Sequence, residues 1–416
     1  MPPSLVHRVP STARSLFTLD EDEHLIPASR SFDRKIGAYT LTEHIGSGSS
    51  GSNVFAAWLA AAPSELVALK VLEEHPTVCA LPRFLREAEI VCSLGPHPNL
   101  VRGLESGERD GHRYLAMTLL RGQTVGALLQ QRGRLEWREA TRMARDVARG
   151  LAHLASCRVV HRDIKPENIM QCGQGDAACA VLIDFGLARR TEAGTEAREA
   201  EERGGGGETS PTSKVSPGAS PCGSPARALR RVCTPAYSAI GSPAFMAPEQ
   251  VRDARSAREP SDVYALGASW YAALTGVLPF DGASPQRVMH QVLNGEVLPP
   301  SARAYGIPPA AEALVLWMLA KSSRARPPSG ASLVSLLEAV LAAPNDPTQV
   351  LAARAAHVRR CKLHDLAALG LRLAGGAAAA LAAGWVLWEA SALRPEGGSS
   401  GPGLPGLEGT TAAWQP

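Results

Sequence analysis

Four things are scarce in this chain of 416 residues, and each absence narrows the field. Net charge is nearly absent: 43 Lys and Arg stand against 40 Asp and Glu, so bulk charge does not call for a nucleic-acid partner. Paired cysteines are absent. The eight cysteines are scattered at Cys79, Cys92, Cys157, Cys172, Cys179, Cys222, Cys233 and Cys361, with no Cys-x-x-Cys, which favours reduced thiols in a cytosolic domain over a zinc or disulfide framework. No apolar run follows a basic start, so a cleaved signal peptide is not expected, and no internal repeat is found. What remains is ordinary for a folded protein: 45% hydrophobic and 20% charged residues, enough apolar material for a sizeable core.

Composition divides the chain. Residues 1–36 mix Pro, Ser and Arg with the acidic run Asp20 to Glu23 and read as a disordered extension. Tyr39 to Ile45 alternates like a strand and runs into a Gly/Ser turn; Val54 to Leu59 and Leu66 to Val71 read as two more strands. Arg83 to Leu94 has helical spacing, Tyr114 to Leu120 is strand-like, and from Thr124 the pattern turns helical. Residues 191–238 carry Gly204 to Gly207, many Ser and Pro and few large apolar side chains. They read as a disordered insertion inside a domain, because organised sequence resumes at Ile240. Residues 346–365 form a basic linker with Arg354, Arg359, Arg360 and Lys362. Residues 366–388 are rich in Ala, Gly and Leu and end in Trp385 and Trp388. At about 1.5 Å per residue this run spans about 35 Å, enough for a hydrocarbon core of about 30 Å. Arg372, near its N-terminal end, can snorkel, and the preceding basic residues would put that side in the cytoplasm. The expectation is a single membrane-spanning helix, with a packing helix of a soluble cytoplasmic protein as the alternative. Residues 389–416 read as a disordered tail.

Several short motifs carry chemistry. Gly46-Ser47-Gly48-Ser49-Ser50-Gly51 is a G-x-G-x-x-G loop between two strands, where glycines let backbone amides approach phosphate oxygens. No strand-to-helix context follows, which disfavours a Rossmann dinucleotide site. Lys70 ends an apolar strand run, where its charge is costly unless paired, and Glu87 follows on the next helix. His161 to Asn168 is more specific: it places Asp163, Lys165 and Asn168 together, supplying a carboxylate for an acceptor hydroxyl, a cation for a phosphate and an oxygen ligand for magnesium. After Val181-Leu182-Ile183 comes Asp184-Phe185-Gly186, whose carboxylate can hold a hard cation.

These motifs, followed by Ala247-Pro248-Glu249, stand in the order found in eukaryotic-type (Hanks-type) protein kinases, and the chain resembles that family over about residues 37–345. The resemblance implies an α+β, bilobal protein-kinase fold: a small β-rich lobe with one helix at 37–117, a hinge at 118–122 and a larger helical lobe at 123–345. It implies ATP and Mg2+. Ile45, the loop Gly46 to Gly51 including Ser47, Gly48, Ser49 and Ser50, and Lys70 would bind ATP. Val54, Ala68 and Met170 would enclose adenine, with Met117 as gatekeeper and Thr118 to Leu120 at the hinge. Asp163 would be the catalytic base, Lys165 would stabilise the transferring phosphoryl group, Lys70 paired with Glu87 would contact the α- and β-phosphates, and Asn168 and Asp184 would be the metal ligands. Glu89 is the second choice for the Lys70 partner. Asp262 would brace the catalytic loop, Arg326 would pair with Glu249, and Ser242 would bond near Asp163 and Lys165.

Lys165 and the segment Gly241 to Gln250 are similar to serine/threonine kinases, particularly bacterial ones, so the implied activity is transfer of the ATP γ-phosphoryl group to Ser/Thr hydroxyls of proteins in membrane-tethered signalling. A pseudokinase scaffold and a small-molecule kinase are the alternatives; the complete set Lys70, Asp163, Asn168 and Asp184 argues against the first, and Gly241 to Gln250 against the second. Two departures stand out. Family spacing puts valine at position 53, where Asn53 stands and the valine is Val54, so the glycine loop has one extra residue, which would loosen or shift its phosphate contacts. The insertion 191–238 doubles the stretch before Glu249. Arg162, just before Asp163, suggests activation-loop phosphorylation, with Thr234 and then Ser238 as candidate phosphosites.

Overall fold

A computed structural model describes residues 35–48, 51–60, 62–73, 76, 78–173, 175, 178–191 and 243–365. Strands β1 (Lys35–Ile36), β2 (Tyr39–Gly48), β3 (Ser52–Leu59), β4 (Ala62–Leu72), β5 (Gly103–Arg109) and β6 (His112–Thr118) form one antiparallel sheet in the order β1-β2-β3-β4-β6-β5. Both faces are covered. On β3, Val54 and Ala56 belong to the main core while Phe55 and Ala57 belong to a smaller cluster with Tyr39, Leu69 and Tyr114. Helix α1 (Ala80–Ser93) packs against β5 and buries a face of Ala80, Phe84, Glu87, Ala88 and Val91, spaced three and four apart.

Past Gly122 the architecture is mainly helical. Helix α2 (Val125–Arg132) starts at Thr124, whose hydroxyl accepts from the Ala127 amide at 3.1 Å. Helix α3 (Trp137–Ser156) is capped by Glu136, whose carboxylate takes the Arg138 and Glu139 amides. Then come α4 (Pro248–Arg252), α5 (Glu259–Thr275), α6 (Pro285–Asn294), α7 (Pro309–Met318) and α8 (Gly330–Ala342). Helix α5 is buried at every position from Ser261 to Thr275, with Tyr264, Trp270 and Tyr271 fully enclosed; it is the axis on which α3 and α7 pack. Gly276 ends it at φ +77°, and a side chain there would meet the Gly133 carbonyl. The two parts meet where the Val101 amide donates to Leu182 O and the Leu182 amide to Asn99 O.

The bilobal α+β arrangement is thus the one expected, with local differences. Helix α1 begins at Ala80 rather than Arg83, because Ala80 still lies on the buried face. The strand expected over 114–120 runs His112–Thr118. Strand β5 escaped notice because its one large apolar residue, Leu104, is exposed. The helical part also holds a small sheet of β7 (Gly122–Thr124), β9 (Ile169–Cys172) and β10 (Cys179–Leu182), and a pair of β8 (Val159–Val160) with β11 (Arg189–Arg190).

By its contacts the chain separates into Met1–Val358, which holds all that follows, and Arg359–Pro416, of which residues 359–365 are described and helical. Among the described residues no helix is long and apolar enough to cross a membrane. The run 366–388, the extension before Lys35, the tail, Ser49, Ser50, Thr234, Ser238 and Ser242 lie outside the described residues.

Candidate active site

The β4 pairing brings Lys70 opposite Val54 on one side and Leu115 on the other, pointing to the face that carries Val54, Ala56 and Ala68. Lys70 is buried, and its Nζ lies 2.7 and 2.8 Å from the two carboxylate oxygens of Glu87. Glu87 is the one charge on the buried face of α1, whereas Glu89 is exposed. Nζ also reaches Asp184 Oδ1 at 3.4 Å. Burial alone would lower the lysine, but Glu87 and Asp184 outweigh it and hold the ammonium above the ordinary value. At Asp184 burial likewise opposes ionisation, and Lys70 with the Gly186 amide, His161 and Lys165 holds the carboxyl below the usual aspartate range.

Opposite stands the loop between β8 and β9. Lys165 Nζ donates to Asp163 Oδ2 at 2.9 Å, and Asn168 Nδ2 donates to the same oxygen at 3.1 Å and to the Asp163 carbonyl at 2.8 Å. Among the described residues nothing donates to Oδ1. With its amino group so used, Asn168 has its carbonyl as the remaining donor atom for a hard cation. The loop is held in place by Asp262 of α5, whose carboxylate accepts the His161 and Arg162 amides at 2.8 Å each. Arg162 has φ +72° and Asp184 φ +59°, a left-handed backbone that costs about 1–3 kcal/mol each for side-chain-bearing residues and persists where surroundings over-determine it. The surroundings do so at Arg162: Gln250 Nε2 donates to its carbonyl at 3.1 Å, and its guanidinium donates to Ala254 O.

Ile45, Val54, Ala68, Met117 and Met170 share one apolar cluster, with Leu120 packed against it. Ala68 and Met117 are cross-strand neighbours, as are Val67 and Thr118. The loop glycines Gly46 and Gly48 pair across to Val54 and Ser52, and Gly51 turns the chain at φ +68°.

A family profile described as protein kinase domain matches residues 39–210 and 222–336, more than half of the chain. The chain belongs to the protein kinase domain family. Among curated relatives, the serine/threonine-protein kinase PknL of Mycobacterium tuberculosis is 31% identical over 276 residues, covering 66% of this chain and 59% of the relative. The serine/threonine-protein kinase pkn3 of Myxococcus xanthus is 30% identical over 311 residues, 73% of this chain and 50% of the relative. The serine/threonine-protein kinase PrkC of Bacillus subtilis is 30% identical over 241 residues, 58% of this chain and 30% of the relative. The chain thus matches about three fifths or less of the length of these relatives.

In this kinase domain two arrangements were not anticipated. Arg162 faces other cations: burial first, then Arg189, Arg86 and Arg258, push its guanidinium down to about 10, and burial with Arg189 and Arg83 lowers Arg86. Arg86 sits one residue before Glu87 and Arg189 five after Asp184, a spacing that a search for repulsion around Arg162 could have used. His161, read only as a motif letter, is fully buried, with its ring edge-on to that of Phe185 at 4.8 Å between centroids, so it packs against the residue that follows Asp184.

Proposed function

We propose that this chain is a serine/threonine protein kinase that transfers the γ-phosphoryl group of ATP to protein hydroxyls. The observation that carries the reading is the convergence of Lys70, Asp163, Lys165, Asn168 and Asp184, with Lys70 3.4 Å from Asp184 and Lys165 2.9 Å from Asp163. Asp163 Oδ1 orients the acceptor hydroxyl and takes its proton. Lys165, held on the same carboxylate, faces the charge of the transferred group, and Lys70, kept protonated by Glu87, holds the phosphate chain.

The residues fit a divalent cation. Ionised Asp184 and the Asn168 carbonyl are hard oxygen donors. That suits an ion such as Mg2+, held by one or two protein oxygens plus substrate phosphates, which when bound neutralises and bridges the phosphate oxygens. Labelled phosphate from γ-labelled ATP, supplied with magnesium to a generic protein substrate, tests the reading: transfer in the wild type, and about 10²–10⁴-fold less in Asp163→Asn, the range that general acid–base groups supply. Equal transfer by both proteins rejects Asp163 as the base, and transfer by neither rejects the reading and favours the scaffold.

The arginines around Arg162 support a further element of the same reading, an activation-loop phosphate, on Thr234 or Ser238, neutralising them. Phosphopeptide mapping of wild type and Asp163→Asn decides this; an active form without phosphate at either position ends it. The basic linker and the apolar composition of 366–388 support a membrane tether, with the kinase domain on the cytoplasmic side. Fractionation against a truncation before Leu366 tests it, and equal solubility of the two forms rejects it.

A further inference from the structure

The glycine loop is one residue longer than G-x-G-x-x-G-x-V spacing provides, and the strand register shows where the extra residue goes. Gly46, Ser47 and Gly48 pair with Val54, Asn53 and Ser52. Ser52, not Gly51, therefore stands two residues before Val54 and shares its face. Across β4, Ser52 pairs with Leu72, Val54 with Lys70 and Ala56 with Ala68, so Ser52 belongs to the row that roofs the cleft, next in line to Lys70. Its exposure is 1%, and among the described residues its Oγ has no hydrogen-bond partner. A buried hydroxyl without a partner is destabilising and uncommon in folded proteins.

The opposite face fixes this orientation. Ser47 Oγ donates to Asn53 Oδ1 at 2.8 Å, and His44 Nε2 lies 3.2 Å from both Asn53 Oδ1 and Ser47 Oγ. These contacts pin Ser47 against Asn53. A one-residue slip would turn Ser52 outward and break both contacts to Asn53.

We propose that the Ser52 hydroxyl is a nucleotide ligand, donating its proton to an oxygen of the bound phosphate chain from the roof of the cleft beside Lys70. The proposal rests on the ATP-binding reading above. A glycine at this place offers only its backbone amide; serine adds a second donor whose partner arrives with the nucleotide.

The test uses the full chain, a non-hydrolysable ATP analogue with magnesium, and adenosine, which lacks phosphates. Ser52→Ala is expected to bind the ATP analogue about tenfold or more weakly, the scale of a hydrogen bond to a charged oxygen, and adenosine within about twofold of wild type. Without nucleotide its thermal midpoint is expected to equal or exceed that of the wild type, because a buried unpaired hydroxyl has been removed. Ser52→Gly is expected to show the same loss for the analogue. Unchanged analogue affinity, a parallel loss for adenosine, recovery in Ser52→Gly, or a lowered midpoint in Ser52→Ala each overturns the proposal. A wild type that binds neither compound rejects the kinase reading itself, and the proposal with it; a wild type that binds both equally rejects the phosphate contact alone.

Discussion

Two buried ion pairs tie distant segments of this molecule together, and they are built differently. Around Arg326 every valence is used. Its guanidinium donates to both oxygens of Glu249 at 2.6 and 2.8 Å and to the carbonyls of Pro260, Ala320 and Lys321, while Ser261 Oγ donates to Glu249 at 2.7 Å. Around Lys70 two carboxylates, Glu87 and Asp184, face one ammonium, and Asp184 is reached only at 3.4 Å. A saturated pair has nothing left to bind, so its work is structural; an unsaturated set with a surplus carboxylate has room for a cation and for the phosphates it accompanies. The difference separates what holds this kinase domain together from what it does.

The largest effect that would sharpen the contrast is on the unsaturated side. Asp184→Asn keeps the shape of the side chain but removes its charge; phosphate transfer is expected to fall by about 10²–10⁴-fold, with little change in the thermal midpoint. Transfer within a few-fold of wild type would remove Asp184 from the metal site. On the saturated side, Arg326→Met leaves the Glu249 charge partly buried and unpaired. It is expected to destabilise the fold by about 3–5 kcal/mol, read by urea titration, while the folded fraction binds nucleotide as before. A loss of affinity without a loss of stability would reverse the assignment.

A smaller effect appears with pH. Burial opposes the charge on Glu249, but Arg326 and Ser261 outweigh it and hold the carboxyl below the ordinary glutamate value. The unfolded chain therefore takes up this proton first as acid is added. The stability contributed by the pair is full above about pH 4.3, declines below it, and is lost as pH falls through the depressed folded value. Urea midpoints measured from neutral pH downward should fall more steeply in wild type than in Glu249→Gln. Parallel curves would show that the pair carries no such linkage.

How much of this was legible in the sequence follows from the same physics. Motif residues could be placed because each carries chemistry at fixed spacing, and the structure puts Lys70 beside Glu87 and Asp163 beside Lys165 and Asn168. The central helix could be recognised from Ser261 to Gly267, but not that Trp270 and Tyr271 beyond it are fully enclosed, since periodicity disappears in a helix buried all round. Strand β5 gave no signal because an exposed edge strand needs no apolar alternation. The strained backbone at Arg162 and Asp184 is invisible to composition: neither is glycine, and their positive φ is imposed by Asp262, Gln250 and the packing of Phe185. The long glycine loop was visible as an anomaly in spacing, but only strand register showed that it turns Ser52 inward.

The central claim, that the Lys70 centre is built for phosphoryl transfer beyond its part in holding the fold, is tested most directly on one preparation of Lys70→Met. Its transfer rate and its urea midpoint are measured side by side with wild type. The expected result is transfer per folded molecule reduced at least about a hundredfold, with stability lowered by about 3–5 kcal/mol because Glu87 and Asp184 are left buried without their cation. Retained transfer, or a loss of transfer that merely tracks unfolding, would contradict the account.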